Sequence, residues 1–307
     1  MSKATDEFLL RLDAMRDGLE VDSLVSKAPG EVRWNNRARL IRNGLLVVGF
    51  AALEDFLRSR LAEIISQLSN KLIKYEHLPE GLRNAATSEV VEVLPKRSRL
   101  AADNGDDPLA FVRRHAALVA SAGTSNWELS GLACLHRQDN INFEELRQLL
   151  DRFGIVDGWK AVASVARRAG LGTPDLGADF KNLVLKRHRA AHWAAADVEF
   201  TELSDSVSTV FRVAFGFDAV LSTASSKWLS GHFDPIAGNT VTLRIIAPAK
   251  GGKWKELKSE ADSTAKRTFA TLDAAKSDAA IRSRSDGAIV VVRTAQGVPS
   301  EWLSPTR

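Results

Sequence analysis

Cysteine is almost absent: Cys134 is the only one in 307 residues. No internal disulfide can form, which excludes a disulfide-stapled secreted fold and suits a reducing compartment. Gly-x-Ser-x-Gly, a phosphate-cradling P-loop, paired Cys-x-x-Cys and the dinucleotide glycine pattern are also missing. No apolar run approaches the roughly 18 residues that a membrane helix needs. The longest, residues 44–53, ends on Glu54 and Asp55. The opening Met1-Ser-Lys-Ala-Thr-Asp-Glu is polar, without the apolar stretch of a signal peptide. These absences lead to the expectation of a cytoplasmic protein with no membrane segment.

What is present is an ordinary globular balance, 45% apolar and 26% charged, ample for a buried core. The length fits one large domain or two ordinary ones. The net charge of +4 is unevenly placed. Residues 1–231 hold 30 basic and 30 acidic side chains, and residues 232–307 hold 12 basic and 8 acidic. Residues 159–193 are a second basic stretch, with seven basic and two acidic groups. Clustered cations attract phosphate backbones, although a charge run also suits a solvated helix face.

Apolar spacing predicts a mainly helical chain. Phe8, Leu12, Met15 and Leu19 mark a first helix, with Thr5 or Asp6 as its cap. A long helix is expected over residues 35–72. Its two adjoining stripes, Leu45/Val48/Ala52/Phe56 and Leu46/Gly49/Leu53/Leu57, imply burial in a bundle. A shorter helix over 80–94 is expected to stop at Pro95, and another covers 109–122. Asn142 with Glu145 three residues on forms a capping box that opens the next. Helices at 159–168, from Asp179 onward, and over 207–228 complete the set. Alternation over 240–246, a β-rich run at 288–292, and a helix at 272–281 capped by Thr271 give a small C-terminal α+β unit. The expected division is a helical domain at 1–230 and a basic α+β domain at 231–307.

The sequence's most chemical feature is Leu183-Val-Leu-Lys186-Arg187-His188-Arg189-Ala-Ala-His192-Trp193. It resembles the Arg-x4–6-His signature of HEPN domains (higher eukaryotes and prokaryotes nucleotide-binding), in particular the bacterial RiboL-PSP-HEPN and MAE-type branches. Residues 42–56, where an apolar run closes on Ala-x-x-Glu54, are similar to the early buried helix of those branches. Residues 140–155 are similar to the helix leading to the motif. The resemblance spans about residues 5–225. It departs from the family at His188, where Asn is common, and at Trp193, where Gly is frequent.

The resemblance implies a HEPN-like helical bundle and a metal-independent endoribonuclease of the kind that serves as a toxin or anti-phage defence effector. RNA is cut when its own 2′-hydroxyl attacks the neighbouring phosphate. An imidazole can move that proton, and an arginine can hold the phosphate by two parallel hydrogen bonds. Arg187 and His192 are the catalytic candidates, with His188 positioning the substrate or His192. Lys186, Arg189 and Trp193 are candidate substrate contacts, Trp193 as a face for base stacking. The structural alternatives are an ion pair for Arg187 and a cap or core contact for His192.

Residues five apart lie about 140° apart around a helix, so Arg187 and His192 do not share a face. Family members pair two motif helices across a dimer, which makes a homodimer part of the expectation, with RNA as substrate and an antitoxin or defence-system protein as a further partner. His188 and His192 do share a face, but no third ligand at known spacing completes a metal set, so no metal and no cofactor are assigned. The aspartates of residues 103–108 lack the downstream Gly and Glu of a calcium loop. Glu54 reads as a buried structural partner of an arginine rather than a catalytic acid. Cys134 and His136, two apart, point to different helix faces. The alternative functions are a non-catalytic HEPN module that binds RNA or a protein, and a helical scaffold whose basic C-terminal unit recruits a partner.

Overall fold

The computed structural model describes residues 2–69, 73–133, 141–193 and 195–305. Cys134 and His136, and the end of the long helix expected to reach Leu72, lie outside the described residues. The chain is mainly α-helical with a small mixed sheet near its C-terminus. Helices α1 (Lys3–Leu19), α2 (Val32–Ser69), α3 (Glu80–Asn84), α4 (Val90–Asp103), α5 (Pro108–Ser121), α6 (Phe143–Arg152), α7 (Gly158–Ala169), α8 (Leu176–His192) and α9 (Phe200–Leu229) precede the sheet.

α9 is the central helix, buried along most of its length and packed against α1, α2, α7 and α8. By length and composition it could cross a membrane, which corrects the reading that no stretch approaches that size. Here 89% of its most apolar window is buried by other parts of the protein. Its close approach to α7 requires Gly216: a Cβ there would lie 2.7 Å from Val162 Cγ1 and 2.8 Å from the Val162 carbonyl oxygen.

Local signals explain many boundaries. The Asn142 side chain accepts from the Glu144 and Glu145 amides, and Glu145 accepts from the Asn142 amide, completing the expected capping box. α1 begins earlier than expected because Ser2, itself bonded to Glu63, caps it through the Thr5 amide. Pro95 does not end a helix. A π-helical turn at Ala85–Glu89 leads into α4, and Pro95 sits inside α4. The lost amide donor is tolerated because α4 packs along α5 and against the π turn. α8 starts at Leu176, capped by Asp175, before the expected Asp179.

The sheet order is β3 (Ala265–Phe269), β2 (Trp254–Leu257), β1 (Leu243–Pro248), β4 (Ile289–Arg293), β5 (Pro299–Leu303). β1 and β4 are parallel, joined by a crossover that contains α10 (Leu272–Asp286), and the remaining pairs are antiparallel. Alternation divides the strand residues between two sides. Ile246, Val290, Val292 and Leu303 pack with Ala275 and Ala279 of α10. Ile245, Ile289, Val291 and Trp302 belong to the core of the helical part.

A buried polar hub fastens the sheet to the bundle. Asp218 of α9 accepts from Arg60 Nε at 2.6 Å and Ser222 Oγ at 2.7 Å on one oxygen. Its other oxygen accepts from Trp302 Nε1 and Ser304 Oγ, both at 2.7 Å, and from Thr5 Oγ1 at 3.4 Å. Burial pushes the Asp218 carboxyl up, but the Arg60 guanidinium and the hydroxyl and indole donors outweigh it and hold the group below the usual carboxylate range. α1, α2, α9 and the strand-β5 region thus converge on one carboxylate.

Candidate functional site

α8 is locked on one side and bare on the other. Leu176, Gly177, Phe180 and Leu183 are buried. Gly177 is needed there, since a Cβ would meet the Phe143 ring at 2.9 Å. An aromatic column supports this side: Phe143 stacks on Trp159 at 4.8 Å, Trp159 meets Phe180 at 5.2 Å, and Phe180 meets Phe50 of α2 at 6.2 Å. Lys181 lies over the Phe143 ring, which partly covers that end of the column.

Arg187 is half-buried with its guanidinium carbon 5.7 Å from the centre of the Phe50 ring. Its Nε is buried and has no hydrogen-bond partner, and among the described residues no carboxylate pairs with it. A ring face attracts a cation without consuming its N–H donors, so this arrangement holds a guanidinium in place while leaving donors free for an anion. A structural ion pair, the alternative raised by sequence, is not what this environment provides among the described residues.

His188 and His192 are both exposed, and their rings lie 4.7 Å apart. The structure therefore brings these two together. Arg187 lies on the α2 side, as expected from the angular separation along the helix. His192 is the last residue of α8, and Trp193 closes the helix as its C-cap, its backbone N–H donating a hydrogen bond to the Arg189 carbonyl at 2.9 Å. Trp193 is 58% exposed, with the Arg189 guanidinium 5.6 Å from its ring centre. These two side chains together present a cation and a flat apolar face to solvent.

Lys186 has a different place from the other motif cations. Its ammonium pairs with Glu202 of α9 at 2.8 Å. That hydrogen bond is the main reason the Glu202 carboxyl sits below its usual range. Glu202 also accepts from the Glu199 amide at the start of α9. Lys186 is thus engaged in linking α8 to α9.

The segment after His192 is pinned to α2 by residues that sequence reasoning did not single out. Asn43 donates to the Ala196 carbonyl at 2.8 Å and accepts from the Val198 amide at 3.2 Å. Arg42, buried, donates to the Leu24 and Val198 carbonyls and to Asp197. The available signal was the Arg42-Asn43 pair at the head of an otherwise apolar helix face. Glu54, also buried, accepts from the Ile141 amide at 2.6 Å, so its partner among the described residues is a backbone amide where sequence led to the expectation of an arginine. Among the described residues no group of three or more His, Cys, Asp or Glu side chains is arranged to hold a metal.

No protein-family model matches the chain, and no curated protein or solved structure matches it significantly.

Proposed function

We propose that the chain is a HEPN-type, metal-independent endoribonuclease, with α8 as the motif helix. The observation that carries this reading is Arg187: a guanidinium held over an aromatic ring, without a carboxylate partner among the described residues, one turn or so from two exposed imidazoles. Anchored cations left unneutralised suit a site for a phosphate.

In the proposed reaction Arg187 holds the scissile phosphate and stabilises the charge that builds on it. His192 takes the proton from the 2′-hydroxyl. The 2′-oxygen bonds to phosphorus, the bond to the 5′-oxygen breaks, and a protonated imidazole returns a proton to that oxygen. The products are a 2′,3′-cyclic phosphate end and a 5′-hydroxyl end. His188, beside His192, positions that ring or the substrate. Arg189 and Trp193 receive a flanking nucleotide through charge and stacking. Because Arg187 and His192 point apart on one helix, the working site is formed by two copies of the chain, each presenting α8 across a two-fold axis. The biological setting proposed with it is a cytoplasmic toxin or defence effector restrained by a partner protein.

The wide angle between Arg187 and His192 specifically favours a second reading, an RNA- or protein-binding module without turnover. Incubating purified protein with total RNA and tRNA in EDTA, beside Arg187→Ala and His192→Ala, separates the two. Cleavage by the native protein alone supports the nuclease. Binding by all three without cleavage supports the module.

A further inference from the structure

The basic excess of the C-terminal part lies largely on one hairpin. Residues 249–269, which contain β2 and β3, hold six basic side chains, Lys250, Lys253, Lys255, Lys258, Lys266 and Arg267, against the acids Glu256, Glu260 and Asp262. The structure withdraws two of those acids from the surface charge. Glu256 is buried and paired with Arg244 at 2.7 Å and Arg282 at 2.5 Å. Glu260 pairs with Arg168 of α7. Asp262 stays at the surface of the connecting loop: it accepts from the Thr264 amide at 2.8 Å, and hydrogen bonding from Thr264, with the charge of Lys258, holds its carboxyl below the usual range, so it offsets one of the six cations.

The lysines are left outside. Lys250, Lys253, Lys258 and Lys266 are exposed and pair with no carboxylate among the described residues. Lys255, half-buried, donates to the Ser263 carbonyl and so stiffens the hairpin. Arg267 reaches Asp278 only at 3.5 Å. β3 is the open edge of the sheet, and its first four residues are exposed. The β2–β3 register shifts between Glu256 and Leu257, leaving Lys266 as the extra residue of a bulge, a device that re-aims a side chain.

We infer that the β2–β3 hairpin is a wing that binds the phosphodiester backbone of nucleic acid without reading its sequence. Charge complementarity selects this occupant. A membrane surface fits less well, because none of the exposed large apolar side chains falls in residues 249–270, and Trp254 and Phe269 pack toward α10. Edge lysines also discourage strand-to-strand aggregation, a role that needs no ligand. The wing is separate from the cleavage chemistry proposed for Arg187 and His192, and it stands or falls independently of it.

The test uses the full chain carrying His192→Ala, to preserve the probe, with and without Lys250→Gln/Lys253→Gln/Lys258→Gln/Lys266→Gln. Anisotropy of a labelled RNA hairpin and of a DNA duplex is followed from about 50 to 200 mM salt. Glutamine keeps the edge polar, and circular dichroism with gel filtration checks the fold. The expected result is at least about tenfold weaker binding of both probes at low salt, and a salt slope shallower by about three. The double variant Lys250→Gln/Lys253→Gln is expected to lose about half of that slope. Unchanged affinity and slope in the fourfold variant would overturn the wing. So would loss of binding to phosphatidylserine vesicles with nucleic-acid binding intact.

Discussion

Replacing Asp218 by Asn is the sharpest perturbation of the fold. The change preserves volume and removes one charge from a site where Arg60 is 0% exposed. Arg60 keeps Glu63 at 2.9 Å, but loses the carboxylate 2.6 Å from its Nε. An asparagine NH2 on the Oδ2 side would face the Trp302 indole N–H, a donor that cannot turn into an acceptor, whereas the Ser304 and Thr5 hydroxyls can rotate. Removing one partner of a buried pair typically costs about 3–5 kcal/mol, against a total stability of roughly 5–15 kcal/mol. Urea unfolding of both proteins at pH 7 measures the difference. The pH dependence has a definite sign. A carboxyl depressed in the folded state stabilises above its unfolded value near about 3.9 and loses that contribution as pH falls through the folded value. The gap between native protein and variant is therefore expected to shrink as pH is lowered from about 5 toward 3. Adding Arg60→Met should recover part of the loss, since an apolar replacement of both charges removes the orphaned cation. A loss under about 1 kcal/mol at pH 7, or a gap that widens in acid, would refute the hub.

Gly216→Ala is expected to destabilise by about 1–3 kcal/mol in the same unfolding assay, because the new methyl meets the Val162 backbone and the gain in helix propensity is smaller. Asn142→Ala should cost about 1 kcal/mol through loss of two amide acceptances at the start of α6, measured by thermal or urea unfolding.

The fold was legible where local chemistry decided it. The Asn142–Glu145 box and Thr271 at the start of α10 carry their own capping partners within three residues. Pro95 misled because an α4 packed on α5 holds a helix that the proline alone would break. The start of α8 at Leu176 was hidden because residues 170–177, with three glycines and Pro174, read as a loop, yet it is the contact with Phe143 that calls for a glycine at 177. β2, β3 and β5 were missed: β2 has four residues, β3 is mostly exposed, and β5 opens on a proline, so none shows a clear alternating apolar pattern. Asp218 was invisible as a hub because its partners come from residues 5, 60, 222, 302 and 304, which only tertiary structure assembles. In the site, the Arg187-His188-His192 spacing was readable from sequence. The Phe50 support of Arg187, the Asn43 clamp and the Glu202 partner of Lys186 required the packing of α2 and α9 against α8.

The most direct measurement of the proposed activity is RNA cleavage by purified protein in EDTA, with product ends identified and with Arg187→Ala and His192→Ala in parallel. Cleavage by the native protein that leaves 2′,3′-cyclic phosphate ends, and a loss of at least about 100-fold in each variant, is the predicted result. Folded native protein that binds RNA without cutting it, or variants that cut as well as it does, would contradict the assignment of Arg187 and His192 as a nuclease pair.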